Sequence, residues 1–98
     1  MKAVQFFLNL SELREYAEKF YGNGMDDLEA KRNLEDYDHF IVQFQRKENV
    51  IIEEVWGVIP QLEGAYAERI GYFEYEKLEW IQDALIWLKE RVAYSIYE

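Results

Sequence analysis

Residues 40–60 read FIVQFQRKENVIIEEVWGVIP, and this stretch decides the fold. At its start apolar and other side chains alternate, so that Phe40, Val42 and Phe44 share one face of an extended strand. The polar residues 46–49 then predict a four-residue hairpin loop, after which the alternation resumes. We therefore predict an antiparallel hairpin at the centre of the molecule.

Towards the N-terminus the pattern predicts one more strand and one helix. Residues 2–10 are rich in Val, Phe and Leu without helical spacing, which favours a strand. Ser11 is the expected helix N-cap, and the glycines of residues 22–24 are expected to end the helix. The core side of this helix is predicted to carry Leu13, Tyr16, Ala17 and Phe20. Residues 25–37 favour a short, exposed, acidic helix.

Towards the C-terminus the pattern predicts a strand and then a long helix. Residues 61–75 fit both a helix and a strand, and the aromatic residues around Gly71 favour a strand. Helical spacing then follows at Leu78, Ile81, Leu85, Leu88 and Val92. The predicted fold is a single α+β domain over residues 1–98. It has a small antiparallel sheet of three or four strands packed on a long C-terminal helix, and a shorter N-terminal helix after the first strand.

The charge of the chain restricts its partners. It has 20 acidic and 11 basic residues, for a net charge of −9. Most of the excess lies in residues 25–38, with six acids against two bases, and in residues 61–98, with eight against four. Such a field repels phosphate and anionic lipid and attracts basic proteins, although solubility alone would also explain it. We expect a cytoplasmic protein that binds neither nucleic acid directly nor membranes.

The sequence offers little for catalysis. It contains no Cys and no Thr, and Ser11 and Ser95 are its only serines, so an activated nucleophile has no evident base beside it. His39 is the only histidine and follows Asp38, but hard-metal loops need more ligands at fixed spacing. We expect no catalytic residue, no metal and no cofactor; the alternative is an acid/base or metal enzyme at His39.

Carboxylates are the candidate binding groups. Glu53 and Glu54 are neighbours on a predicted strand, so they face opposite sides, and one of them is expected to meet the aromatic layer. That residue would be either a functional group with a raised pKa or an edge-strand charge that discourages aggregation. The predicted partner-binding residues are Asp26, Asp27, Glu29, Glu35, Asp36, Asp38, Glu53 and Glu54.

These acids predict an inhibitor that imitates the spacing of phosphates. It would occupy a basic cleft of a nuclease or another nucleic-acid-binding protein, as DNA mimics among immunity proteins, antitoxins and phage counter-defence (anti-CRISPR) proteins do. Residues 20–28, which read FYGNGMDDL, also resemble the helix-entry motif of barstar-type ribonuclease inhibitors. That resemblance implies that Asp26 is the inhibitory acid. Gly24 and Glu29 differ from the Asn and the aromatic residue usual in that family.

The alternative hypothesis is a homo-oligomeric structural or accessory protein. Several large apolar side chains have no evident place in a small core, and tyrosines suit interfaces because they bury much area and keep a polar group. The predicted oligomer interface consists of Ile86, Tyr94, Ile96 and Tyr97. A small domain with 3 Trp, 8 Tyr and 6 Phe can also simply leave some of them exposed.

Overall fold

The computed structural model describes residues 2–97 and consists of a five-stranded antiparallel sheet with two helices on one face. The strands are β1 (Ala3–Leu8), β2 (His39–Lys47), β3 (Val50–Pro60), β4 (Ala65–Tyr75) and β5 (Ala93–Tyr97), in the order β4-β3-β2-β1-β5. The helices are α1 (Leu10–Phe20) and α2 (Gln82–Arg91). Short 3₁₀ turns span Gly24–Asp27, Leu34–Asp36 and Leu78–Trp80.

The predicted central hairpin is confirmed as β2 and β3. Phe40, Val42 and Phe44 are all buried on the helix side of β2, because period-two alternation places them on one face. The connection is shorter than predicted, since Lys47 already pairs with Val50. Only two residues therefore turn the chain.

Helix α1 begins earlier than the sequence suggested. Asn9, rather than Ser11, is the N-cap, and its side chain accepts the N–H of Glu12 at 2.8 Å. The Glu12 carboxylate accepts the Asn9 N–H in return, at 2.9 Å, which completes a capping box. The predicted core face is confirmed by the burial of Leu13, Tyr16 and Ala17.

The predictions of a long C-terminal helix and of three or four strands are wrong. Helix α2 has ten residues, and the chain then continues as β5, which pairs antiparallel with β1 and gives the sheet its fifth strand. Helical spacing extended the prediction too far at both ends, because residues 78–80 form a 3₁₀ turn and residues 93–97 are extended. Pairing with β1 satisfies the backbone groups that would otherwise lie unpaired along that strand.

The structure defines the conformation of two regions whose sequence pattern was ambiguous, residues 61–75 and 25–37. The preference for a strand in residues 61–75 is confirmed by β4, whose pairing with β3 shifts at Val55/Trp56 in a β-bulge. The helix expected in residues 25–37 is wrong, since this part forms two 3₁₀ turns joined by irregular chain with bends. Its apolar residues do not form one helical stripe, and they reach the core at separate points.

The two faces of the sheet differ in burial. One face packs against α1 and α2 and forms the core, where Phe6, Phe40 and Val55 are fully buried. On the other face, alternate residues such as Phe7 and Trp56 are only partly buried. All the sites described below are placed by this division and by the two edges, β4 and β5.

Candidate functional site

The acidic connection, defined here as residues 24–38, joins α1 to β2 and is fastened to the β3 and β4 side of the sheet. The Glu29 N–H donates to the carbonyl oxygen of Ile70 on β4, with 2.7 Å between N and O. The Asp38 N–H donates to the carbonyl oxygen of Val58 on β3, also at 2.7 Å. The middle and the end of the connection are thus held by two different strands.

Two glycines on the strands make room for the buried side chains of the acidic connection. A Cβ at Gly57 would lie 2.5 Å from ring carbons of Tyr37, and a Cβ at Gly71 would lie 2.7 Å from a methyl group of Leu28. Real Cβ atoms do not approach neighbours so closely. The absence of a side chain at these two positions therefore lets Tyr37 and Leu28 pack against the sheet.

A buried carboxylate completes this attachment. Glu68 of β4 is 6% exposed, and it accepts hydrogen bonds from Arg32 Nε at 3.2 Å and from Arg32 Nη2. The Tyr37 hydroxyl donates to the same carboxylate at 2.7 Å. The guanidinium of Arg32, followed by the Tyr37 hydrogen bond, lowers the pKa of Glu68, so the carboxylate is ionised at neutral pH. The cation of Arg32 thus pairs with a carboxylate of β4 and not with an acid of the connection.

The remaining acids of the connection face solvent. The exposed ones are Asp26, Glu29, Glu35, Asp36 and Asp38. Asp38 lies 2.8 Å from His39 Nδ1, and the partly buried Asp27 accepts hydrogen bonds from the backbone and side chain of Asn23, both at 3.1 Å. Among residues 2–97, none of the other four exposed acids forms an ion pair with Lys or Arg. The connection therefore presents a net negative charge to solvent.

A polar cleft of about 360 Å³ separates the acidic connection from the edge of β4. Asp27 and Glu29 line one part of it, whereas Lys31 and Arg69 bring positive charge to the same space. Arg69 also pairs with Glu54, at 3.0 Å between Nη1 and Oε2. Lys31 and Arg69 thus offset part of the negative charge at the cleft and at Glu54, whereas Asp26, Glu35 and Asp36 do not line the cleft.

Glu53 lies in the core, on the opposite face of β3 from Glu54. It is 1% exposed and accepts hydrogen bonds from three tyrosines. The Tyr16 hydroxyl donates to Oε2 at 2.8 Å, the Tyr21 hydroxyl donates to the same oxygen, and the Tyr75 hydroxyl donates to Oε1 at 2.7 Å. Within residues 2–97, no cation contributes to this tyrosine cluster, which consists of Glu53 and these three residues.

Burial dominates the ionisation of the tyrosine cluster. It raises the pKa of Glu53, and the three phenol hydrogen bonds oppose this shift without cancelling it. Burial, reinforced by the charge of Glu53, also raises the pKa of Tyr16 and Tyr21, so both remain neutral donors. Glu53 does not line the cleft beside β4 or the apolar depressions under α2. The cluster therefore satisfies a buried carboxylate away from these openings.

The predicted binding residues are thus divided by the fold. Six belong to the acidic connection, Glu54 is paired on the open face of the sheet, and Glu53 is buried in the core. Glu53 is not an edge-strand charge, because β3 lies inside the sheet. The sequence did separate the two glutamates correctly, since period two places neighbours on opposite faces.

The sequence interpretation missed the residues that surround the two buried carboxylates. Ile51, Glu53 and Val55 share one face of β3, so an acid between two core positions was a usable signal for a polar cluster. No comparable signal marked Glu68, whose partners Arg32 and Tyr37 lie more than thirty residues away.

His39 has a single carboxylate neighbour, and residues 2–97 contain no group of three or more His, Asp or Glu side chains arranged to hold a metal ion. None of the helices within these residues has the length and apolar character needed to cross a membrane. No family model, curated protein or solved structure matches this chain.

Proposed function

We propose that this chain is a non-enzymatic binding protein, an inhibitor that uses the acidic connection to occupy a basic cleft in a nuclease or another nucleic-acid-binding protein. The observation that supports the proposal is the set of exposed carboxylates on the connection that have no Lys or Arg partner within residues 2–97. A basic cleft evolved for phosphates would supply the missing cations. The inhibitor would act in the cytoplasm, which a chain without cysteine tolerates.

The attachment of the connection supports this role. Its two backbone hydrogen bonds to the sheet, together with the Arg32–Glu68 pair, hold the acids in place before any partner arrives. A surface that is already ordered loses less conformational entropy on binding, so more of its electrostatic attraction contributes to affinity. The pairing of Arg32 with Glu68 adds to the effect, because this cation is bonded to a carboxylate of β4 and not to an acid of the connection.

The position of Glu53 also favours a binding protein over an enzyme. Carboxylates with a raised pKa are candidate general acids, but such a group must reach a substrate. Glu53 is 1% exposed, and its oxygens are already bonded to three phenols. Burial is the cause of its raised pKa, so the shift itself gives no support to an enzymatic role.

The test is capture of partners from a lysate of the source organism by the tagged protein, at low and high salt. A segment variant would carry Asp26→Asn, Glu29→Gln, Glu35→Gln and Asp36→Asn, and a matched control would carry Glu15→Gln, Glu18→Gln, Glu79→Gln and Glu90→Gln. All eight acids are exposed, and both variants have the same net charge. The control thus separates the position of the charge from its amount.

We expect a basic protein that the wild type and the control retain at low salt, that high salt or a competing DNA duplex releases, and that binds the segment variant about tenfold or more weakly. Equal loss of binding by both variants would mean that binding depends on the net charge and not on the position of the acids, which would contradict the proposed surface. A partner that the segment variant retains would contradict the proposed surface.

A further inference from the structure

The outer edge of β5 is an unprotected strand edge. One side of Ala93–Tyr97 pairs with β1, and within residues 2–97 no strand pairs with the other side. Its sequence, AYSIY, contains no charge and no Pro, and its pairing with β1 is regular. Proteins usually guard such edges with charges, prolines or bulges, because an open row of backbone N–H and C=O groups binds other strands.

The opposite edge of the sheet shows these protections. Strand β4 contains a β-bulge and the charged side chains of Glu68 and Arg69. In addition, the carbonyl oxygen of Ile70 already accepts a hydrogen bond from the Glu29 N–H. Within one sheet, therefore, the β4 edge is protected against pairing with another strand, whereas the β5 edge is available for it.

Large apolar side chains accompany the open edge of β5. Tyr94, Ile96 and Tyr97 are 43%, 59% and 49% exposed. Tyr94 and Ile96 lie on the helix side of the sheet, opposite Phe6 and Val4 of β1. A strand added at this edge would cover them and satisfy the free backbone groups in one step.

We propose that β5 pairs antiparallel with β5 of a second copy of this chain, about a two-fold axis at Ser95, to form one continuous ten-stranded sheet. In this register Ser95 faces Ser95, and Tyr94 of each copy faces Ile96 of the other on the helix side. Ala93 faces Tyr97 on the open side. Each large side chain thus meets an aliphatic or small one, and no charges oppose each other across the strands.

The surface beside β5 suits its own side chains. A mostly apolar depression of about 200 Å³ lies on the helix side, next to Ile96 and lined also by Val4, Phe44 and Lys89. Tyr94 of the second copy would stand directly opposite Ile96 and on the same face, where its ring can lie over this depression. A strand from a different protein would have to carry a bulky residue at the position opposite Ile96 to cover the depression in the same way.

The distribution of charge permits association of two chains that each carry a net charge of −9. The acidic connection is attached to β3 and β4, and β4 is the edge farthest from β5. In a ten-stranded sheet with strands about 4.8 Å apart, the two β4 edges would be roughly 40 Å apart. Salt screens repulsion over about 8 Å at physiological ionic strength, so the acidic connections would scarcely affect each other.

The pairing does not include Ile86, which the sequence grouped with the C-terminal residues. Ile86 is 57% exposed on the side of α2 away from the buried Ala84 and Leu88, so it points away from the sheet. It therefore offers a matched control for Ile96, which has nearly the same exposure. If the proposed function also holds, the dimer would present two inhibitory surfaces at its opposite ends.

Sedimentation velocity of the wild type, Ile96→Lys and Ile86→Lys tests the pairing, with circular dichroism to verify that each is folded. From about 1 to 200 µM, we expect the wild type and Ile86→Lys to shift from the monomer mass of 11.9 kDa towards twice that value, whereas Ile96→Lys stays monomeric. A wild type that remains monomeric over this range, or a dimer that only Ile86→Lys dissociates, would overturn the proposal.

A cross-linking experiment tests the register without disturbing the apolar contacts. The chain has no native cysteine, so Ser95→Cys introduces a single thiol at the proposed axis, and Ser11→Cys places one on α1 as the control. A short bismaleimide should link Ser95→Cys into dimers and leave Ser11→Cys unlinked. Equal linking of both would contradict the register. Neither result depends on an inhibitory partner, so this test can fail while the proposed function stands.

Discussion

The two buried carboxylates of the sheet, Glu53 and Glu68, are satisfied in opposite ways. Glu53 lies in the core and accepts hydrogen bonds from three neutral phenols, and its pKa is raised by burial. Glu68 lies near the β4 edge and meets the guanidinium of Arg32 as well as one phenol, and its pKa is lowered. Hydrogen bonds alone do not keep a buried acid charged as readily as a cation does.

The difference also separates two tasks. The tyrosine cluster joins α1, β3 and β4, so it links elements of the core. The Arg32–Glu68 pair joins the acidic connection to β4, so it positions a surface. Substitutions at the two glutamates should therefore affect different properties of the molecule.

Glu53→Ala should have the largest effect. It leaves a cavity in the core and removes the acceptor of three hydroxyl groups, two of them on buried tyrosines, at a cost of about 3–5 kcal/mol in the free energy of unfolding. Chemical denaturation at neutral pH measures it. Glu54→Ala, one residue along the strand, is the control, and it should cost less than about 1 kcal/mol. A loss below about 1 kcal/mol at Glu53 as well would show that the cluster is not important for stability.

Glu68→Gln should have a smaller and more local effect. The carboxamide keeps the size of the side chain but gives up the charge that Arg32 neutralises, so amide exchange at Glu29 and Asp38 should accelerate as the acidic connection loosens. Because the pKa of Glu68 is lowered in the folded state, its stabilisation is present above the ordinary Glu pKa and is lost as the pH falls through the lowered one.

The difference in stability of the acidic connection between the wild type and Glu68→Gln, measured by the protection of these amides, should therefore be largest at neutral pH and disappear in acid. Glu54→Gln, which removes the charge from the pair that Glu54 of β3 forms with Arg69 of β4, should leave exchange at Glu29 and Asp38 unchanged. Unchanged exchange in Glu68→Gln would mean that the backbone bonds and the packing of Tyr37 suffice to hold the connection.

The contrast between these glutamates also shows what the sequence could predict. Alternation over β2 and β3 was decisive, because a buried face with period two specifies both strands and the opposite directions of Glu53 and Glu54. Residues 26–38 could be identified as acidic from their composition. Their anchoring could not, since it depends on contacts between the connection and β3 and β4 that are far apart in the sequence.

Strand β5 shows the complementary failure. Its residues, AYSIY, do not alternate between apolar and polar side chains. Because the helical spacing before it continues as far as Val92, the local pattern predicted a helix that is too long. What makes residues 93–97 a strand is the vacant edge of β1, which is a property of the assembled sheet. An element whose conformation is decided by its neighbour cannot be inferred before that neighbour is placed.

Glu53→Gln should have the smallest effect, and it isolates the charge of the tyrosine cluster from its shape. The Gln oxygen can accept from Tyr16 and Tyr21, while its amide donates to the hydroxyl of Tyr75, which reorients. A raised folded-state pKa means that the contribution of neutral Glu53 is full below the ordinary Glu pKa and is lost as the pH rises through the raised value.

The stabilities of the wild type and Glu53→Gln should therefore be similar at about pH 4, and the variant should gain on the wild type as the pH rises to 7. Other acids titrate equally in both proteins, so the difference between their denaturation curves reports Glu53 alone. This dependence is opposite in direction to that of Glu68→Gln, which loses most at neutral pH. If the wild type instead gained on Glu53→Gln over the same range, the three phenols would be stabilising the ion more than burial opposes it.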